Sequence, residues 1–141
     1  MKFIFLDFDG CLHPSLAREQ EYFQRVPLLV ESIADLTVGI VVSSSWRFHH
    51  DWGYLLGLFP DELRPKVIGK TGAAVSGRHA RWHEIGAYVR QHRVTDWRAL
   101  DDAAFEFPSG CPQLLLCNGA TGLTPEVAAV LREWASAPVR P

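Results

Sequence analysis

Two carboxylates, Asp7 and Asp9, stand two positions apart at the end of an apolar run, and a second acidic pair, Asp101-Asp102, ends another. Residues i and i+2 of an extended chain project to the same side, and carboxylates held that close repel unless a cation lies between them. Asp101 adds a third hard oxygen donor, a set that suits Mg²⁺ with its preference for carboxylates, water and substrate phosphate. Gly10, directly after Asp9, lets the chain turn away sharply. A third apolar run ends in hydroxyls, Ser43 and Ser44. An Asp-x-Asp-Gly alone reads equally well as a solvated turn. The apolar run before Asp7 and the matching acids at 101–102 favour chemistry.

Such groups need elements that bring the ends of several strands together. Lys2–Leu6 reads as a short strand, too brief for a helix before the Asp9-Gly10 turn signal. Val38–Val42 is β-rich and apolar throughout, the pattern of a strand buried on both faces. Further short strands are expected over residues 66–68 (ended by Gly69), 97–100 and 114–117. Residues 15–36 carry apolar side chains at three- and four-residue intervals, with Pro27 kinking or dividing the helix they predict. Residues 46–58 and 82–92 read as further helices, and Thr124 caps a last one over 126–135, with Pro125 at its first position. Strands alternating with helices predict a doubly wound, Rossmann-like α/β fold, a five-stranded and mainly parallel sheet with helices on both faces. In such sheets ligands bind outside the carboxyl ends of the strands, where strand order reverses. With the first strand central, the second on one side and the fourth on the other, Asp7, Ser43 or Ser44, and Asp101-Asp102 converge on one crevice.

No repeat, low-complexity tract or linker divides the 141 residues, so a single domain is expected. Hydrophobic residues at 48% and charged residues at 21% exclude a disordered chain. A net charge of −2 gives no overall basic field toward nucleic acid or acidic lipid, although 11 of the 14 cations are Arg, whose fork suits phosphate. No apolar run reaches the roughly 18–20 residues of a membrane span, and the apolar residues before Asp7 are too few for the apolar region of a signal peptide. Cys11, Cys111 and Cys117 cannot all pair within one chain, and none stands in a C-x-x-C spacing. The expectation is a reduced, cytoplasmic protein with no membrane partner and no structural zinc.

The run Phe5-Leu6-Asp7-Phe8-Asp9-Gly10-Cys11-Leu12 resembles the first motif of the haloacid dehalogenase (HAD) superfamily of phosphotransferases. Val41-Val42-Ser43-Ser44-Ser45-Trp46-Arg47 resembles its second motif, and Leu100-Asp101-Asp102 its fourth. Nearly the whole chain further resembles the small HAD-like domains grouped with the Swiss Army knife RNA repair proteins. That resemblance rests on Asp-Gly-Cys-Leu-His-Pro at 9–14, Ser-Ser-Ser-Trp-Arg at 43–47, Trp-Arg-Ala-Leu-Asp-Asp at 97–102 and Thr-Gly-Leu-Thr at 121–124. It implies a Mg²⁺-dependent phosphomonoesterase that works through an aspartyl-phosphate. Asp7 would be the nucleophile, and Asp9 the general acid and then the base. Asp7, the backbone carbonyl of Asp9, and Asp101, with or without Asp102, would hold Mg²⁺. Ser43 or Ser44, with neighbouring amides, would bind the transferring phosphoryl group; strand phase favours Ser43, alignment on Trp46 favours Ser44. For the third-motif cation Arg81 fits best, with Arg78 and Lys70 as alternatives.

Around these motifs, Gly10, His13, Ser45 and Arg47 are candidates to touch the phosphate or substrate, and Trp46 offers either an aromatic face or core packing. His49-His50-Asp51 cannot share a helix face and reads as a solvated loop or helix start. Trp82, Trp97 and Trp134 read as core, and Cys117 as a packed thiol. Only 33 residues separate Asp9 from Ser43, and 36 separate Ser44 from Arg81, which leaves no room for a substantial cap domain. An uncovered site admits a phosphate on a large molecule, such as a nucleic-acid end or a phosphoprotein, with poorer water exclusion. A small ester fits if a second subunit covers the site. Two readings compete. A non-catalytic phospho-ligand-binding or regulatory module leaves the acid at Asp9 unexplained, whereas phosphoryl transfer to an acceptor other than water uses the same residues.

Overall fold

Both faces of Lys2–Leu6 are apolar, and the segment becomes β1, the middle strand of a five-stranded sheet in the computed structural model, which describes residues 1–139. Ile4 and Leu6 enter one core and Phe5 the other, since successive strand residues face opposite ways. Strands β2 (Val38–Val42), β3 (Val67–Lys70), β4 (Trp97–Asp101) and β5 (Leu114–Leu116) complete the order β3-β2-β1-β4-β5. Every pairing is parallel. The expected α/β fold is therefore the one formed, with no inserted cap domain among the described residues.

Helices α1 (Val26–Ile33) and α4 (Pro125–Ser136), with Leu55 of the short α2 (Trp52–Gly57), cover the face carrying Ile4, Leu6, Ile40, Val42 and Leu100. Leu29, Ile33 and Leu131 are fully buried there, and each such side chain stabilises the fold by roughly 1.5–3 kcal/mol relative to exposure. Helix α3 (Ala80–His92) covers the opposite face, setting Ile85 and Tyr88 against Phe5, Val41 and Ala99. Trp97 meets Phe5 edge-on at 5.5 Å, and Trp82 and Trp134 are partly buried against the two cores. Thr124 accepts from the Val127 N–H and Pro125 opens α4, as the sequence indicates.

The expected bounds of the last two helices and of β4 and β5 shift by one or two residues, and three other elements differ for reasons visible in their surroundings. Of residues 15–36 only Val26–Ile33 is α-helical, preceded by a 3₁₀ turn at Glu19–Glu21. Pro27 lies in the first helical turn, where a missing N–H costs nothing, so it neither kinks nor divides the helix. The preceding loop is tied down from outside: the Ser15 N–H donates to the Gly119 carbonyl (2.8 Å) and the Arg25 N–H to the Leu12 carbonyl (2.9 Å). Residues 46–58 split into a 3₁₀ turn, Ser45–Phe48, and α2, because the Asp51 carboxylate accepts from the Tyr54 N–H (2.8 Å) and starts a new helix. Lys66 belongs to a 3₁₀ turn (Arg64–Lys66), so β3 starts at Val67. It then runs through Gly69 rather than ending there, because after a shift of register beside Ile40 it pairs Gly69 with Val41 and Lys70 with Val42; the glycine leaves room for Tyr88 Oη of α3, 2.8 Å from where a Cβ would be. No described helix is long and apolar enough to cross a membrane, and the three cysteines are free.

Candidate active site

The register of the sheet sets four polar residues side by side. Leu6 pairs with Val42 and with Leu100, and Val42 pairs with Lys70. The next residue on each strand is therefore Asp7, Ser43, Asp101 or Thr71, all at one level across the carboxyl end. The ladder persists there: Ser43 N–H donates to Leu6, Asp7 N–H to Leu100 and Thr71 N–H to Val42, each at 3.0 Å. Two positions earlier on these strands lie Phe5, Val41, Ala99 and the Gly69 that Tyr88 covers. The four polar side chains thus face α3, whose first turns carry Arg81 and Glu84.

Arg81 Nη1 lies 2.6 Å from Asp101 Oδ2 and 3.5 Å from Asp7 Oδ1. Asp7 also accepts from the Phe8 N–H (2.9 Å), and Asp101 from the Ala103 N–H (2.9 Å). Burial, then the Asp101 charge, pushes the Asp7 carboxyl well above the usual carboxylate range, and Arg81 only partly offsets this. Burial likewise raises Asp101 against the pull of Arg81. Burial opposes the charge of Arg81, yet Asp101, Asp7 and Glu84 outweigh it and hold the guanidinium more firmly protonated. Arg78 and Lys70 are exposed, so Arg81 is the cation that the fold delivers to these acids.

Asp102 completes the cluster. One carboxylate oxygen from each of Asp7, Asp101 and Asp102 lies within 4.8 Å of the others. Two glycines make room for it: a Cβ on Gly10, whose φ is +81°, would fall 2.1 Å from Asp102 Oδ2, and one on Gly119 would fall 2.8 Å from it. Three hard oxygen donors stand together, a single guanidinium pairs with two of them, and those two acids are already driven toward protonation. This donor set and its excess negative charge fit a small divalent cation such as Mg²⁺.

Asp9 takes its side-chain partners outside that cluster. Its Oδ1 accepts from His13 Nε2 (2.8 Å) and its Oδ2 from Trp46 Nε1 (3.1 Å), with the side chain 47% exposed. The two motif serines part company: Ser44 Oγ caps the 3₁₀ turn by accepting from the Trp46 N–H (3.2 Å), whereas Ser43 Oγ is buried without a partner among the described residues. Ser43 is thus the hydroxyl free to serve the site, and Ser45 beside it is exposed.

Three residues expected at the phosphate are differently employed. His13 is fully buried and serves Asp9. The Gly10 N–H donates to the His13 carbonyl (2.9 Å), and its missing side chain accommodates Asp102. Arg47 is buried with every part of its fork engaged: Glu84 (2.8 Å), the carbonyls of Ser43 (2.7 Å) and Ser44 (3.1 Å), and that of Gly72 (3.2 Å). It secures the loop after β2 to α3 rather than offering a fork to a ligand. Asp51 is a helix cap and His50 stacks on Tyr54 at 4.5 Å, as a loop reading of 49–51 requires.

Two contributors went unread in the sequence. Thr71, 2% exposed, has a hydroxyl without a partner among the described residues; its place directly after a strand, shared with Asp7 and Ser43, shows only because β3 runs on to Lys70. Glu84 lies mid-helix with no local motif, and only the fold brings it to Arg47 and to within 3.9 Å of Arg81 Nε. A family model described as the HAD domain in Swiss Army Knife RNA repair proteins matches residues 3–128. No curated protein and no solved structure matches the chain.

Proposed function

The chain belongs to the HAD domain in Swiss Army Knife RNA repair proteins, and on that premise we propose that it is a Mg²⁺-dependent phosphomonoesterase acting through an aspartyl-phosphate on Asp7. A HAD-type hydrolase is the general reading that the family supports. The observation that carries the finer one is the single level shared by Asp7, Ser43 and Asp101, with Arg81 between the two acids.

Asp7 and Asp101, the Asp9 backbone carbonyl and the adjoining Asp102 would hold Mg²⁺, which when bound neutralises phosphoryl charge so that an anionic nucleophile can approach. The Ser43 hydroxyl donates to a phosphoryl oxygen, and Arg81 offsets the remaining charge. An Asp7 carboxylate oxygen bonds to phosphorus as the bond to the leaving oxygen breaks. That oxygen keeps the electron pair and takes a proton from Asp9. Asp9, now a carboxylate, removes a proton from water; the resulting hydroxide bonds to phosphorus, the Asp7–phosphoryl bond breaks, and inorganic phosphate leaves with both carboxyls restored.

The uncapped site suits a phosphate on a large molecule. Beside Asp9, the rings of Tyr22, Trp46, His50 and Tyr54 form a row with neighbouring centroids 4.5–5.6 Å apart. Tyr22 and Tyr54, the exposed members of the row, offer faces on which nucleobases stack without regard to sequence, which favours a nucleic-acid phosphate end as the substrate. Phosphate release from a panel of esters, phosphorylated oligonucleotides included, tests the reading with and without Mg²⁺. Metal-dependent release is expected, greatest on the oligonucleotides; no release from any ester would overturn it.

A further inference from the structure

Asp9 receives more support than a half-exposed carboxyl needs. Water can solvate it, yet two side-chain N–H donors, an imidazole and an indole, are spent on its two oxygens, one each. His13 is itself fixed. The Phe23 N–H donates to its Nδ1 (3.2 Å), so Nδ1 carries no proton and Nε2 carries the one that Asp9 accepts. Its backbone carbonyl is held by Gly10, and its ring lies among Tyr22, Phe23 and Trp46 at 4.8–5.9 Å. Trp46 is wedged against Phe8 and Phe23, both at 5.5 Å. A carboxyl gripped at both oxygens by rings that cannot turn has one orientation.

We propose that His13 and Trp46 are positioning residues that aim the Asp9 carboxyl at the leaving-group oxygen. The assignment rests on the phosphomonoesterase reading, in which Asp9 delivers the proton. Proton delivery demands reach and direction, and misplacement by about 1 Å costs on the order of a hundredfold in rate. Losing either donor lets the carboxyl rotate. The penalty then falls on esters whose leaving group needs the proton, and spares those whose leaving group departs as a stable anion.

Steady-state kinetics with Mg²⁺ on p-nitrophenyl phosphate and on glycerol phosphate test this with the wild type, Trp46→Phe, His13→Ala and His13→Gln. Trp46→Phe and His13→Ala are expected to lose at least about tenfold more kcat on glycerol phosphate than on the nitrophenyl ester. His13→Gln, whose amide offers an N–H again, is expected to regain part of that difference. Equal losses on both esters, or none, would overturn the assignment even with the phosphatase established. A wild type inactive on both esters and on phosphorylated oligonucleotides would instead fell the phosphatase reading, and this assignment with it. Trp46→Phe keeps the ring packing, so the comparison survives if His13→Ala does not fold.

Discussion

Asp7 lies in surroundings that resist its charge, because it is buried beside Asp101 and shares one guanidinium with it. An acid that binds its proton more tightly folded than unfolded adds stability while the proton is on, and that stability is lost as the pH rises through the folded value. In EDTA the protein should therefore lose stability as the pH climbs above the usual carboxylate range. Asp7→Asn should flatten that decline and melt a few degrees higher at neutral pH, given that about 1 kcal/mol moves the Tm of a chain this size by roughly 2–4 °C. Melting curves against pH check it; an unchanged slope in the Asn variant would contradict it. Glu84 carries the opposite expectation. Glu84→Ala leaves the buried Arg47 without its counter-charge, and urea unfolding should show a loss on the order of 3–5 kcal/mol. At this scale Asp7, Asp101 and a hydroxyl at Ser43 or Ser44 were legible, because each follows a strand; the distinction of Ser43 from Ser44, and of Arg81 from Arg78 and Lys70, came only with the fold. The employment of Arg47, His13 and Gly10 was not legible, since it depends on partners that the chain order does not bring together.

Strands and helices place the chemistry by register. The turn after β1 works only because Gly10 adopts a φ of +81° and leaves space for Asp102. Gly10→Ala combines a left-handed backbone strain of order 1–3 kcal/mol with a side chain pressed into the Asp102 carboxylate. The variant should melt several degrees lower and respond less to added Mg²⁺, as thermal shift titrations with the metal will show. An unchanged metal response would mean that Asp102 has no part in the metal site. The strands were legible because their apolar runs are short and bounded; β2 is buried along its whole length, as its composition requires. The boundaries that moved did so for tertiary reasons. Pairing with Val41 and Val42 of β2 carries β3 past an expected stop at Gly69, and the Asp51 cap interrupts an otherwise continuous helical pattern.

The whole molecule delivers these groups to the carboxyl end of a parallel sheet, beside a row of aromatic rings and with no cap among the described residues. Mg²⁺ and a phosphate mimic such as beryllofluoride should stabilise the protein together more than the sum of each alone, because the mimic on Asp7 and the cation share charge. One ligand at a hundred times its Kd stabilises by about 2.7 kcal/mol, a shift easily read by thermal melting. Purely additive shifts would separate the two sites. The account turns on Asp7 as the group that accepts the phosphoryl. Phosphate release from the best ester, measured with Mg²⁺ for wild type and Asp7→Asn side by side, tests that claim most directly. The account predicts metal-dependent turnover in the wild type and a loss of at least about 10³-fold in the variant; an Asn variant that keeps wild-type turnover would contradict it.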